Sequence, residues 1–249
     1  MHLPAADVER DFDTLHHFIR QHPLGLLTTA LPHESLPTLQ VSHIPWVLDV
    51  DDEPAGESSS KGVLRGHIAR QNPQAKALMA ALGETGDVLE AEVLVLFQAP
   101  VTGYVSPGFY VDTKPASGKV VPTWNYTACQ AWGRARIYHR RDDDACESFL
   151  ARQLADLSRE QELAAGNVDR PWKVADAPES YIEILKKAII GIEIEINRIE
   201  GRWKLSGDKR PADRQGVVDG FRARATPDGL RMAEMIEERR QTTAERAAG

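Results

Sequence analysis

Residues 190–199 read IGIEIEINRI. Ile190, Ile192, Ile194 and Ile196 alternate with Gly191, Glu193, Glu195 and Asn197. A side-chain period of two sustained over that length predicts a strand with one buried face and one wet face. Further strands lie upstream. Glu92 to Ala99 (EVLVLFQA) is a short apolar run fit for a buried strand, and Trp124 to Tyr138 is a long strand candidate. Leu24 to Leu31, with Thr28 and Thr29, reads as a strand, Thr38 to Val50 (TLQVSHIPWVLDV) is rich in β-branched and aromatic residues, and Val63 to His67 would pair back as a strand, giving roughly six strands in all.

Single helices interrupt these strands. Phe12, Leu15, Phe18 and Ile19 recur at helical spacing within 7–21. Asn72-Pro73 is a helix start: Asn caps, and Pro suits the first helical position because its missing N–H is not needed there. Asp142 to Glu162 places carboxylates in its first turn, where the helix dipole favours them. Residues 51–62 (DDEPAGESSSKG) read as a hairpin loop, 106–121 as a long loop, and 226–249 as a solvated helix or frayed tail. The order does not alternate β-α-β, which argues against a doubly wound parallel sheet. The predicted class is α+β: a closed or split, mainly antiparallel β-barrel with peripheral helices.

Composition narrows the function. Thirty Lys and Arg against 37 Asp and Glu give a formal charge of −7, which argues against coating DNA or an anionic membrane. No helix-turn-helix with a basic recognition helix is visible, so direct nucleic-acid binding is not expected. Two cysteines without a CxxC pair make neither a disulfide framework nor a zinc-finger spacing. No run approaches the roughly 20 apolar residues of a membrane span, and no basic-then-apolar leader is present. A soluble cytoplasmic protein without membrane contact is expected, with the nucleus as an alternative if its role is regulatory.

Neither GxGxxG nor GxxxxGKS, HExxH nor GxSxG occurs. No metal site is expected, and no protein-supplied nucleophile is evident, so any chemistry would come from a bound cofactor. Four segments concentrate polar and aromatic groups. Ser42-His43 lies within a strand. In GHIARQNP (66–73), His67, Arg70 and Asn72 stand at a strand-to-helix junction. There, free backbone N–H groups and an arginine fork can hold a phosphate. The alternative is that Asn72 only caps, Arg70 pairs with a surface carboxylate and His67 edges the core. In VPTWNY (121–126), Thr123, Trp124, Asn125 and Tyr126 enter a strand and could border a flat ring or simply pack. In RWKLSGDKRP (202–211), Lys204, Lys209 and Arg210 form a cationic cluster, either an anion site or a solvated face.

In this order the segments resemble the PaiB-type family of FMN-binding transcriptional regulators. The likeness rests on GHIARQNPQA (66–75), VLVLFQAPVTGYVSPGFY (93–110), VPTWNY (121–126), IIGIEIEINRIEGRWKLS (189–206) and KRPADRQGVV (209–218). It implies a split β-barrel of the flavin-binding type over 1–225, followed by a charged C-terminal helix or tail over 226–249. It implies a homodimer with FMN, or a related small molecule, at the subunit interface. Ser42, His43, His67, Arg70 and Asn72 would surround the phosphate and ribityl chain. Thr123, Trp124, Asn125 and Tyr126 would lie near the isoalloxazine, and Lys204, Ser206, Lys209 and Arg210 would close the site. Where the family reads KLSQN, this chain has Lys204-Leu205-Ser206-Gly207-Asp208, and a carboxylate facing a phosphate makes FMN binding weak or absent. A flavin-dependent oxidoreductase or flavin reductase is the enzymatic alternative. A haem-binding or haem-degrading protein is the third, with His43 or His67 as axial ligand.

Overall fold

The structure is a computed structural model that describes residues 1–50, 61–83 and 86–248. Most of the hairpin loop expected over 51–62, residues 51–60, lies outside the described residues. The strands are β1 (Val8–Glu9), β2 (Leu24–Ala30), β3 (Leu39–Pro45), β4 (Val47–Asp49), β5 (Val63–Ala69), β6 (Val88–Gln98), β7 (Gly103–Val105), β8 (Thr123–Tyr138) and β9 (Ile189–Lys204). The helices are α1 (Phe12–Gln21), α2 (Pro73–Leu82), α3 (Thr113–Ser117), α4 (Asp144–Ala164), α5 (Glu179–Lys187), α6 (Pro211–Arg222) and α7 (Pro227–Ala248). No helix among the described residues is long and apolar enough to cross a membrane.

The chain forms two compact units. The larger comprises His16–Phe97 and Gln130–Ile199; the smaller comprises Met1–Leu15, Gln98–Cys129 and Glu200–Gly249.

In the larger unit the strand order is β3-β2-β6-β8-β9-β5-β4, and β2 with β3, β2 with β6, β4 with β5 and β5 with β9 pair antiparallel. The two ends of that path, β3 and β4, are separated in sequence by Trp46 alone. The two strands thus stand at opposite ends of an open strand order while adjoining in sequence, the arrangement of the expected antiparallel split barrel. The single strand predicted over Thr38–Val50 is two strands for this reason. Pro45 lacks the N–H a continuing ladder needs, and the chain turns at the buried Trp46 to start the opposite end of the sheet. Gly66 allows the turn: a Cβ there would stand 2.9 Å from the Trp46 ring and from Ile44.

The alternation in β9 is realised. Ile190, Ile192, Ile194 and Ile196 are buried, and the core continues with Leu27, Ile44, Leu64, Ile68, Val95 and Ile137. Helix α4 covers the opposite face of β5, β8 and β9 through Phe149, whose ring stacks on Tyr138 at 4.0 Å between centroids. Gly191 makes room, since a Cβ there would meet the Phe149 ring at 2.4 Å.

In the smaller unit β1 pairs with the end of β9 and β7 with the start of β8. Val217, Val218 and Phe221 of α6 and Met232, Ala233 and Ile236 of α7 pack with Val105, Tyr110 and Leu205. The segment expected as a solvated helix or frayed tail is helical but has one buried face. The apolar residues Met232, Ala233 and Ile236 recur at i, i+1 and i+4 within an otherwise charged stretch, and the charge masked that stripe. Its polar side is also anchored. Arg239 and Arg246 both bind the buried carboxylate of Glu9, which accepts from Arg10 N at 2.8 Å and Asp11 N at 2.9 Å as well.

Candidate functional site

The expected residues fall into two groups, one in each unit. In the larger unit α2 begins as the sequence requires. The Asn72 side-chain oxygen accepts from Gln74 N at 2.8 Å, and its amide donates to Ser42 Oγ at 3.2 Å. This brings Ser42 and Asn72 together. Gln74, which the sequence reading did not single out, is buried and ties α2 to the sheet. Its amide reaches Leu27 O at 3.0 Å, Thr29 Oγ1 at 3.0 Å and Gln40 O at 3.1 Å.

The other three residues point elsewhere. His43 lies on the opposite face of β3 from Ser42 and is exposed. His67 pairs across to Gly191 on the face covered by α4, and its buried Nδ1 has no partner. Burial pushes the His67 pKa down, so the ring is neutral at pH 7. Arg70 donates through Nη2 to His139 O at 2.7 Å and through Nη1 to Met79 Sδ at 3.4 Å. Its backbone N–H reaches Ala188 O at 2.9 Å. Arg70 thus ties the ends of β8 and β9 to α2, and only its Nε is buried without a partner.

In the smaller unit the β7–β8 hairpin sets Tyr104 directly opposite Trp124. Their rings meet edge to face at 5.8 Å between centroids, and both stay open to solvent, at 41 % and 56 %. Beside them Lys204 donates Nζ to Thr123 Oγ1 and to Trp124 O, the latter at 2.6 Å. Burial, ahead of the neighbouring charges, lowers the Lys204 pKa. An ammonium has three N–H groups, so one remains for a ligand. Behind this edge Asn125 is fully buried and donates to Ser206 Oγ at 3.1 Å. Ser206 holds a left-handed backbone, φ 59°, which aims its hydroxyl at Asn125. Tyr126 lies under the Arg202 guanidinium at 5.6 Å, and Arg202 binds Asp7 at 3.1 Å.

The remaining cations are matched within the chain. Lys209 pairs with Asp208 at 2.5 Å and Arg210 with Asp112 at 3.3 Å. The structure therefore joins Thr123, Trp124 and Lys204, and separately Asn125 and Ser206. Lys209 and Arg210 sit on carboxylates. Tyr104 was missed although it lies in the quoted stretch 93–110; the strand register with Trp124 is what singles it out. Among the described residues no group of three or more His, Cys, Asp and Glu side chains could hold a metal ion. Both cysteines are free and buried, and burial pushes the Cys129 thiol up to about 12.

Residues 1–198 match the family model described as "Putative FMN-binding domain". The chain belongs to this FMN-binding family. The PaiB-type resemblance read from the motifs is borne out with it. A protein of Aspergillus fumigatus is 48 % identical, over 96 % of this chain and 97 % of its own. "Protease synthase and sporulation protein PAI 2" of Bacillus subtilis is 24 % identical, over 96 % of this chain and 98 % of its own. Among solved structures, a conserved hypothetical protein of Mycobacterium tuberculosis has a TM-score of 0.49 at 13 % identity, covering 85 % of this chain and 94 % of that one.

The side chains present can be set against the three parts of FMN. The exposed Trp124 and Tyr104 rings and the adjacent Lys204 N–H fit a flat, hydrogen-bonding ring system with an electron-poor face. The His67 Nδ1 and Arg70 Nε atoms are orphaned donors or acceptors. On the phosphate's side, Lys209 and Arg210 each already give a donor to a carboxylate, and Lys204 keeps one N–H open. Within the smaller unit the donor set fits the ring and would offer the phosphate few groups.

Proposed function

We propose that this protein binds FMN as a homodimer and serves as a flavin-responsive regulatory module of the PaiB type. The observation that carries the reading is the exposed Tyr104–Trp124 pair beside Lys204, in a chain of the FMN-binding family. Trp124 and Tyr104 would border the isoalloxazine, with Thr123 and Lys204 at its polar edge. Ser206 and Asn125 would hold that edge rigid from behind. Bound flavin would supply reversible one- or two-electron chemistry. The chain's own residues orient it and limit its contact with water.

An apolar sheet face in the larger unit supports the dimer. Leu24, Leu39 and Val41 are exposed on one face of β2 and β3, with Thr28 opposite Val41 and Ala30 opposite Leu39. Exposed apolar side chains on one sheet face, here with His43 among them, mark an interaction site, and a second copy of the same chain is the proposed occupant. The regulatory role is supported by the likeness to the sporulation protein PAI 2 of Bacillus subtilis. With a net charge of −7, the output would pass through a protein partner rather than a direct grip on DNA.

Two measurements test this. Titration with FMN should quench flavin fluorescence to saturation and shift the visible bands, and sedimentation should show a dimer at micromolar concentration. A monomer that leaves the flavin spectrum unchanged at 100-fold excess of protein would overturn the proposal.

A further inference from the structure

The connection between β8 and β9 holds a second cavity, away from every residue discussed above. It lies wholly in the larger unit and has a volume of about 710 Å³. That is within the roughly 300–1,000 Å³ typical of small-molecule sites. One wall is α4, through Ala155 and Arg159, one turn apart; the other is α5, through Glu179, Ile182 and Glu183. Residues 171–177 run between them and contribute Trp172 and Val174.

The void has a sequence cause. Ala155, Ala175 and Ala177 stand where larger side chains would fill the gap between the helices. The connection is nonetheless held in place. Trp172 N donates to Glu162 Oε2 at 3.1 Å, Asn167 Nδ2 to the same oxygen at 2.8 Å, and Lys173 N to Asp176 Oδ2 at 2.9 Å. Trp172 itself remains half exposed, as an aromatic wall without a filling partner does.

The charges at this cavity are unequal in their freedom. Glu183 is bound to Lys186 at 2.6 Å. Arg159 leans on Asp156 at 3.2 Å, but that carboxylate also serves Arg65 at 2.8 Å and Arg152 at 3.5 Å. Asp49 and Glu160 complete this network as carboxylates, among the guanidiniums of Arg20, Arg65, Arg152 and Arg159. Arg159 is the member that reaches the cavity, and Lys173 adds a second cation at its wall. Glu179 also lines the cavity; it sits in the first turn of α5, where the helix dipole favours a carboxylate.

We infer that this cavity binds an apolar molecule carrying one carboxylate, such as a medium-chain fatty acid or an aromatic acid. The apolar part would lie against Trp172, Val174 and Ile182, and the carboxylate on Arg159. Charge-assisted contacts of this type are the strong ones.

The test uses the full-length protein and 1-anilinonaphthalene-8-sulfonate as the probe, with decanoate, decylamine and decanol as competitors. Decanoate should displace the probe at least tenfold more effectively than the amine or the alcohol. Arg159→Gln should weaken decanoate about tenfold, and Ala155→Leu and Ala177→Leu, checked by circular dichroism, should each abolish probe binding. Both filling variants are made so that a misfolded one leaves the other to decide. Competition by decylamine equal to that by decanoate would overturn the inference. So would probe binding that survives in a folded filling variant. The outcome does not depend on FMN, because none of the proposed flavin residues lines this cavity.

Discussion

Arg65 grips both oxygens of Asp49, Nε to Oδ2 at 2.6 Å and Nη2 to Oδ1 at 2.9 Å, while itself only 1 % exposed. The same guanidinium reaches Asp156 Oδ2 at 2.8 Å and Gln153 Oε1 at 3.3 Å, so one side chain joins β4, β5 and α4.

Arg65→Leu should therefore destabilise the protein by about 3 kcal/mol, since removing one partner of a buried pair leaves uncompensated charge behind. The same network sets a pH dependence. Burial alone would raise the Asp49 carboxyl, but the Arg65 hydrogen bonds and charge, together with Arg152, outweigh it and the pKa is lowered. A carboxyl lowered on folding contributes stability that is complete above its unfolded value, near 3.8, and is lost as pH falls below it through the folded value. Urea unfolding should show the gap between parent and Asp49→Asn wide at pH 7 and narrowing below pH 4. A gap that stays constant into acid would refute the pairing.

Ser206 combines a left-handed backbone with a buried hydroxyl contact to Asn125. Ser206→Ala and Ser206→Gly both remove that contact, but glycine also relieves the backbone cost, about 1 kcal/mol. Ser206→Gly should be the more stable of the two by thermal melting. The reverse order would show that the positive φ carries no strain.

Trp124→Ala should weaken FMN binding about tenfold, the scale of a lost aromatic contact together with its buried area. Arg70→Ala should leave the affinity nearly unchanged and instead lower stability by roughly 1–3 kcal/mol, because its fork holds His139 O and Met79. Fluorescence titration and urea unfolding on both variants separate binding from folding. A large FMN loss in Arg70→Ala at unchanged stability would restore it as a phosphate clamp.

Asp208 is exposed and already paired with Lys209. An exposed pair of this kind contributes about 0–1 kcal/mol. Asp208→Asn should change FMN affinity less than about threefold. A tenfold gain on titration would mean that the carboxylate faces the phosphate after all.

Much of the fold was legible because its signals are local. The Ile ladder of β9, the Asn72-Pro73 start of α2 and the carboxylates opening α4 each declare themselves within a few residues. What stayed hidden depends on distant partners. Arg65 sits in an apolar strand and looks out of place until Asp49 and Asp156 are brought beside it. The break of one expected strand at Trp46 sends its two halves to opposite ends of the sheet, a placement no local pattern encodes. Helix α6 follows the Lys209-Arg210 cluster and was masked by it; its Asp213 is buried, accepting from Asp112 N at 2.8 Å and Thr113 N at 3.2 Å. For the site, the structure joins residues of the segments the motifs singled out: Thr123 and Trp124 with Lys204, Asn125 with Ser206, and Asn72 with Ser42. The motifs could not say that Arg70, Lys209 and Arg210 would each find a partner inside the chain.

The clasp of Arg239 and Arg246 on Glu9 also orders events in time. During translation Glu9 leaves the ribosome early, and its two arginines emerge more than two hundred residues later. The first strand of the smaller unit must wait with its carboxylate solvated while the rest is made. That unit cannot complete the contact until Arg246 has been made, whereas every residue of the larger unit precedes Glu200.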